Sequence, residues 1–420
     1  MATVGGGVLD LFPPGTRTDE DGTLVVGGCR LDDLAREFGT PVMVVNEDAL
    51  RDRARAYLAA FRSGWPRAEL AFASKAFPCT AIQKVMVEEG LFLDVAGGGE
   101  IVTGLAAGAD PARMLLHGNA KTDEELELAV RSGLGLVVVD NFDDIDRLER
   151  IVPPGHTQPC LVRVIPGVQA TTYAAVATGH EGSKFGLMPD AAREAIARIE
   201  GSAVLRCDGV HTHVGSQLLN VEDLAAAVAP IAALGTFDTY DLGGGLGARY
   251  TYDDAPPTLA EYAGAMLTEA RRLLPADARI ILEPGRSMTA ATACTVYTVT
   301  TIKRGKLTHV AVDGGMGDNL EVSLYGQRFE ATIADRVGGG DTVSVVGRHC
   351  ESGDQLIDGV ALQDPAVGDL LALPVTGAYC YTMSNQYNGA RRIPVVFASG
   401  GQARLVVRRD TWEDLLSRDV

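Results

Sequence analysis

The chain has 420 residues, 46% of them hydrophobic, enough to bury sizeable cores in two or three domains of ordinary size. Its 37 basic and 55 acidic residues give a formal charge of −18, and no basic cluster stands out, which argues against a nucleic-acid or anionic-membrane partner. Seven scattered cysteines, odd in number and without a Cys-x-x-Cys pair, fit neither a disulfide framework nor a structural zinc site. No apolar run approaches the roughly 18 residues a bilayer span needs. No basic residue precedes Arg17 and no leader-length apolar stretch opens the chain, so a reduced, cytoplasmic protein is expected.

In chain order, strand-like pieces Thr23–Val26 and Pro41–Val45 come first, on either side of one short helix, and are candidates to join a sheet formed later. A rhythm of β-rich runs follows: Glu69–Ser74, Leu91–Val95, Met114–His117, Leu134–Asp140, Leu161–Ile165, Gly209–Val214, Thr239–Leu242 and Ile280–Glu283. Helical patterns fall between most of them, among them Thr80–Glu89, Thr122–Arg131, Ala191–Glu200, Val221–Ala233 and Leu259–Leu274. Eight strands alternating with helices read as parallel βαβ units that can close into a (β/α)8 TIM barrel; an open doubly wound sheet is the rival, because strand count does not force closure. Beyond Ala290 the β-branched residues gather in Thr295–Thr301, His309–Val312, Asp341–Val346, Asp369–Ala372 and Arg392–Phe397, a mostly antiparallel β-sandwich or β-barrel pattern. The expected organisation is an α/β barrel over 46–286, inserted between the two parts, 1–45 and 287–420, of a β domain.

In such a barrel the chemistry stands at the C-terminal ends of the strands. Those ends carry Lys75, Asp94, His117, Asp140, Arg163, His213, Gly243–Gly245 and Glu283–Arg286. A lysine after a strand is ordinarily a solvated charge, but Lys75 sits in Ala71-Phe72-Ala73-Ser74-Lys75-Ala76-Phe77; burial there would lower its pKa and suit it to Schiff-base chemistry. Gly243-Gly244-Gly245 offers unencumbered backbone N–H groups where barrels bind phosphate, and Arg286 in Glu283-Pro284-Gly285-Arg286 can add charge-assisted bonds. A glycine triplet alone is more often a flexible turn. His211 and His213, two apart on a strand, share a face and read as a metal pair, a ring lying on an aromatic cofactor, or hydrogen-bonded core histidines. Cys350 lies between His349 and Glu351, a setting for acid/base work, although a lone cysteine is usually a buried hydrophobe. Tyr379 and Tyr381 offer phenols to a phosphate or substrate, or simply pack.

Taken together, these motifs resemble the diaminopimelate decarboxylase group of barrel-type pyridoxal-phosphate decarboxylases, from about Glu20 to Asn388 and in the family's order. The marks are Phe72-Ala73-Ser74-Lys75-Ala76, His117-Gly118-Asn119, Arg163-Val164-Ile165-Pro166-Gly167, Ser183-Lys184-Phe185-Gly186, His211 to Gln217, Gly243 to Gly245, Glu283-Pro284-Gly285-Arg286, Asp313-Gly314-Gly315-Met316, Cys350-Glu351-Ser352-Gly353-Asp354 and Gly377-Ala378-Tyr379. The resemblance implies pyridoxal 5'-phosphate as cofactor and a homodimer with shared active sites. It makes Lys75 the cofactor lysine and stacks His213 on the pyridine ring. Ser216 with Gly243, Gly244 and Gly245 would hold the phosphate, and Glu283 would keep the ring nitrogen protonated. Asp94, Arg163 and Gly285 would line the cofactor, and Arg286, Tyr325 and Tyr379 the phosphate and substrate side. Cys350 would return a proton to the product, with Glu351 beside a distal amine, both from the partner subunit.

One position departs from the resemblance. Where the diaminopimelate enzymes read Pro-Arg-Pro after Asp318-Asn319, this chain reads Leu320-Glu321-Val322, and Tyr173 stands where the family usually has histidine. Replacing the cation that grips a distal carboxylate with Glu321 disfavours that carboxylate. The expectation is therefore an amino-acid decarboxylase acting on a basic amino acid, or on an acyl amino acid tethered to a carrier protein. Authentic meso-diaminopimelate decarboxylation is the alternative. A racemase would need a tyrosine base in place of the Cys350-Glu351 motif, and a non-catalytic regulator would not need Lys75 and Cys350. A metal hydrolase lacks further ligands, so no metal is expected.

Overall fold

A computed structural model describes residues 7–168, 179–180 and 182–420. Tyr173 lies outside the described residues. Two compact units emerge: one holds Arg53–Gly247 and Ala255–Ser287, the other the residues up to Asp52, Ala248–Asp254 and Met288–Val420.

The first unit is a closed parallel barrel whose strands run in chain order: Ala68–Ala73, Phe92–Val95, Met114–Leu116, Leu136–Val139, Gln158–Val164, Leu205–Thr212, Thr239–Asp241 and Arg279–Leu282. Closure is made by the last strand on the first, with Ile280 opposite Ala68 and Leu282 opposite Leu70. The strands read as near-continuous apolar runs because both faces are covered. Ala71, Leu115, Leu136, Val138, Leu161 and Ile281 pack together in one cluster. Helix ends are set by local chemistry: Thr122 and Glu125 form a capping box before Asp123–Ser132, and Gly133 closes that helix in the left-handed region at φ 75°. The helical pattern expected over Val221–Ala233 is two pieces, Val221–Ala226 and Val228–Ala232. Pro230 has no N–H to return to the carbonyl of Ala226, which accounts for the break.

In the second unit Val42–Asn46 lies between Ala293–Lys303, antiparallel to it, and Val395–Ser399, parallel to it. The N-terminal strand thus joins the C-terminal sheet. The earlier piece does not: Leu24–Val26 forms a separate three-stranded sheet with Arg17–Thr18 and Cys29–Arg30. Among the described residues, five strands were not expected: Arg17–Thr18, Cys29–Arg30, Thr332–Ile333, Gln355–Leu362 and Gln402–Val407. Tyr250, from Ala248–Asp254, packs edge-on against Phe329 at 5.1 Å between ring centroids. The seven cysteines are free, and no helix among the described residues is long and apolar enough to cross a membrane.

Candidate active site

Barrel closure collects a buried cluster from strand ends distant in sequence. Glu283 follows the eighth strand, His117 the third, and His211 ends the sixth. Glu283 Oε1 is 2.8 Å from His117 Nε2, and Glu283 Oε2 is 3.3 Å from His211 Nε2. The 2.8 Å contact lacks hydrogen-bond alignment, and Glu283 Oε1 is a buried acceptor with no aligned donor among the described residues. Burial alone would raise the Glu283 pKa; the two imidazoles overrule it and hold the carboxylate well below its ordinary value. Burial pushes His211 down to about 3, so its ring is neutral. Asp241, at the end of the seventh strand, neighbours Glu283, and burial together with that carboxylate lifts its pKa well above the usual carboxylate value. Asp241 is therefore the protonated member of the carboxyl pair and Glu283 the anion.

Lys75 Nζ stands 4.0 Å from Asp94 Oδ2, and Asp94 Oδ1 is 3.7 Å from His117 Nε2. Burial raises the Asp94 pKa and His117 opposes it. The expectation of a buried lysine is corrected here: the flanking Ser74 and Ala76 are fully buried, but the Lys75 side chain is 43% exposed, because it leaves the short 3-10 turn at the strand's end. Its amine faces the Asp94 carboxylate. Arg163 is buried 3.7 Å from Asp140, with its guanidinium 4.5 Å over the Phe185 ring.

The expectation of several unencumbered glycine amides is also corrected. Gly243 N–H donates to Asp241 Oδ1 at 3.0 Å and Gly244 N–H to His213 Nδ1 at 3.2 Å. Gly245 N–H alone of the three has no acceptor among the described residues. The loop needs glycine for another reason: a Cβ at Gly244 would fall 2.0 Å from the Glu283 carbonyl oxygen, and Gly243 sits at φ 66°. The bond from Gly244 leaves His213 Nδ1 unprotonated, and burial with Lys75 and Arg163 nearby holds the ring well below its usual pKa, hence neutral. Arg286 Nε donates to Ser216 Oγ at 3.2 Å, and a Cβ at Gly285 would come 3.0 Å from that of Ala73.

The remaining expected site residues belong to the β unit. Cys350 is exposed, and Glu351 follows it on the same exposed turn. Glu321 and Tyr325 begin and end a short helix. Glu321 is 1% exposed, and Tyr250 O–H donates to its Oε2 at 3.4 Å. Tyr379 takes φ 64°, a conformation costly for a residue with a bulky side chain.

Residues 48–290 match the family described as "Pyridoxal-dependent decarboxylase, pyridoxal binding domain", more than half of the chain. The chain belongs to the pyridoxal-dependent decarboxylases. This decarboxylase is 43% identical over 424 residues to the diaminopimelate decarboxylase of Actinosynnema pretiosum subsp. auranticum, covering 98% of this chain and 95% of that one. It is 41% identical over 431 residues to the diaminopimelate decarboxylase of Bacillus subtilis (strain 168), covering 98% of each. The crystal structure of the M. jannaschii diaminopimelate decarboxylase in co-complex with L-lysine superposes with a TM-score of 0.91 at 27% identity, over 97% of this chain and 98% of that one.

The decarboxylase's own residues fit pyridoxal phosphate. The orphaned Glu283 oxygen suits a pyridinium N–H, the open Gly245 N–H and the Arg286–Ser216 pair suit a phosphate, and Lys75 supplies an accessible amine. Sequence reasoning gave His117 and Asp241 no role, although both stand at strand ends. It also paired His211 with His213; the structure instead groups His211 with His117 and Glu283. These three offer ligand atoms within 4.8 Å of one another, a spacing that a metal ion could also use.

Proposed function

We propose that this decarboxylase removes the α-carboxylate of an amino acid whose distal end carries a cation, not the second amino-acid head of diaminopimelate. When bound, pyridoxal phosphate draws off the electron pair left on the α-carbon as CO2 departs. In this reading Lys75 attaches the cofactor and hands it to the substrate amine. His213 lies against the ring, fixed by Gly244. Gly245, Ser216 and Arg286 hold the phosphate, with Asp94 and Arg163 lining the same side. Glu283, kept anionic by His117 and His211, holds a proton on the ring nitrogen. Cys350 of a second subunit returns a proton to the α-carbon, Glu351 lies beside it, and Tyr325 and Tyr379 line the substrate.

The observation that carries the substrate assignment is Glu321, a buried carboxylate where the diaminopimelate enzymes place arginine. An anion there favours a distal ammonium or guanidinium, as in a basic amino acid, whether free or as part of a carrier-bound substrate. Truncating one partner of such a desolvated pair costs about 2–5 kcal/mol, so Glu321→Arg is expected to lower turnover of the native substrate more than tenfold, at about 1.4 kcal/mol per factor of ten. CO2 release measured across D- and L-basic amino acids, meso-diaminopimelate and carrier-bound glutamate tests the assignment. The names of the relatives favour a second reading, decarboxylation of meso-diaminopimelate itself. A wild-type preference for that compound over every other member of the panel would establish it and remove the role given to Glu321.

The shared-site reading has its own test. Mixing Lys75→Ala with Cys350→Ala protomers is expected to restore part of the activity, since one of the two sites in a mixed dimer is then intact. No recovery after verified subunit exchange would place Cys350 outside the partner's site.

A further inference from the structure

The turn that presents Cys350 is gripped from beneath and from one side. Beneath it, Asp354 accepts His349 N–H at 2.7 Å and pairs with His349 Nδ1 at 2.8 Å through Oδ2, while its Oδ1 takes Met316 N–H at 2.6 Å. The space around that carboxylate is closed: a Cβ at Gly315 or Gly347 would fall within 2.6 Å of it. The His349 ring is stacked on Tyr387 at 5.8 Å and 14°. At the side, Asn388 Oδ1 accepts the Cys350 N–H at 2.7 Å. Asn388 holds this bond from the left-handed region, φ 54° and ψ 25°, which asparagine tolerates better than most residues. Neither Asn388 nor His349 carries a role in the reaction described above.

We propose that Asn388 is a positioning residue for Cys350. Its side-chain oxygen ties the Cys350 amide to the neighbouring turn and thereby fixes where the thiol points. His349 and Asp354 anchor the residue before Cys350 and the end of its turn, and the Asn388 bond holds the Cys350 amide between them, the backbone from which the thiol is presented. This rests on the reading of Cys350 as the group that returns the proton. Proton transfer depends steeply on distance, and a misplacement of about 1 Å costs up to about a hundredfold in rate.

The test is Asn388→Gly, which keeps the left-handed backbone without strain and removes only the acceptor. Three quantities are measured on the holoenzyme: kcat and KM for CO2 release and amine formation, the melting temperature, and the rate of iodoacetamide alkylation at Cys350 followed by peptide mapping. The alkylation is repeated on cofactor-free protein, so that it does not depend on turnover. The expected result is a fall in kcat of about 10- to 100-fold with KM within about threefold, an unchanged melting temperature, and faster alkylation of Cys350. Wild-type kcat with wild-type alkylation overturns the proposal. So does a variant that fails to fold, which would make Asn388 a structural residue. Cys350→Ala is assayed alongside to separate the two ideas. If it keeps wild-type kcat, the proton-donor reading fails, and altered alkylation in Asn388→Gly then reports on positioning alone. If it loses activity while Asn388→Gly does not, only the positioning role is wrong.

Discussion

Lys75→Ala is expected to remove the visible absorption of the holoenzyme and to lower CO2 release by more than about a thousandfold, because it deletes the amine proposed to attach the cofactor. The chain has six lysines, and their settings discriminate among them. Lys121 is buried and paired with Asp144 at 2.8 Å, so its amine is committed. Lys84 lies on a helix surface beside Glu88. Lys75 alone combines a strand-end position in the barrel with a carboxylate partner and an accessible side chain. Asp94 Oδ2, 4.0 Å away, belongs to a carboxylate that faces the Lys75 amine. Burial raises the pKa of Asp94, which suits it to take up a proton from an amine beside it. Borohydride reduction followed by peptide mapping locates the cofactor directly; a pyridoxyl group on any other lysine ends the assignment.

The correction to Lys75's environment illustrates what a sequence can and cannot convey. The apolar neighbours of Lys75 were legible, and they are buried, but a residue's neighbours in sequence do not settle whether its side chain points inward. The eight strands were legible for the same local reason, since runs such as Leu136–Val139 have few other stable uses. Closure was the expected reading but was not forced by the strand count, because the pairing of Leu282 with Leu70 links segments more than 200 residues apart. The site followed suit. His117 and His211 were visible as strand-end residues, yet their shared partner Glu283 depends on the third, sixth and eighth strands meeting around one axis. Gln355–Leu362 escaped notice because Gly359, at φ 87°, interrupts the alternation of buried and exposed residues. Gln402–Val407 escaped because it has no fully buried residue to set a pattern. Glu321 was recognisable as a departure from the motif of the resembling family; that its carboxylate is buried beside Tyr250 depends on Ala248–Asp254 belonging with the β unit.

Glu283→Gln is expected to be the most damaging conservative change in the barrel after loss of Lys75. The amide keeps the size and one oxygen acceptor of the carboxylate but not its charge, and in the proposed reading that charge would hold a proton on the pyridine nitrogen. Removing one member of a buried, hydrogen-bonded charge pair costs about 2–5 kcal/mol, which at about 1.4 kcal/mol per decade is a fall in kcat of roughly 30-fold to a few thousandfold. Substrate affinity should change far less if Glu283 acts on the cofactor, as proposed. The protonation states make the change interpretable. Glu283 is held below its ordinary pKa and His211 is neutral above about 3, so neither titrates in the working range and the loss should appear as a nearly pH-independent drop. Stability gives a second readout. An unfolded histidine takes up a proton near pH 6.5, whereas the folded His211 resists until about 3, so its contribution is lost as pH falls through that window. Glu283, depressed in the fold, loses its contribution in the same direction, below its ordinary pKa of 4.5. Wild-type melting temperature should therefore decline on acidification, and Glu283→Gln should retain the histidine part of that decline while losing the carboxylate part. The cofactor's absorption maximum completes the test, because an uncharged ring nitrogen shifts the spectrum even when turnover is too slow to follow. Wild-type kcat together with an unshifted spectrum in Glu283→Gln would show that the ring nitrogen is protonated without Glu283, and the cluster built from His117, His211 and Asp241 would then serve only to hold the barrel's mouth together.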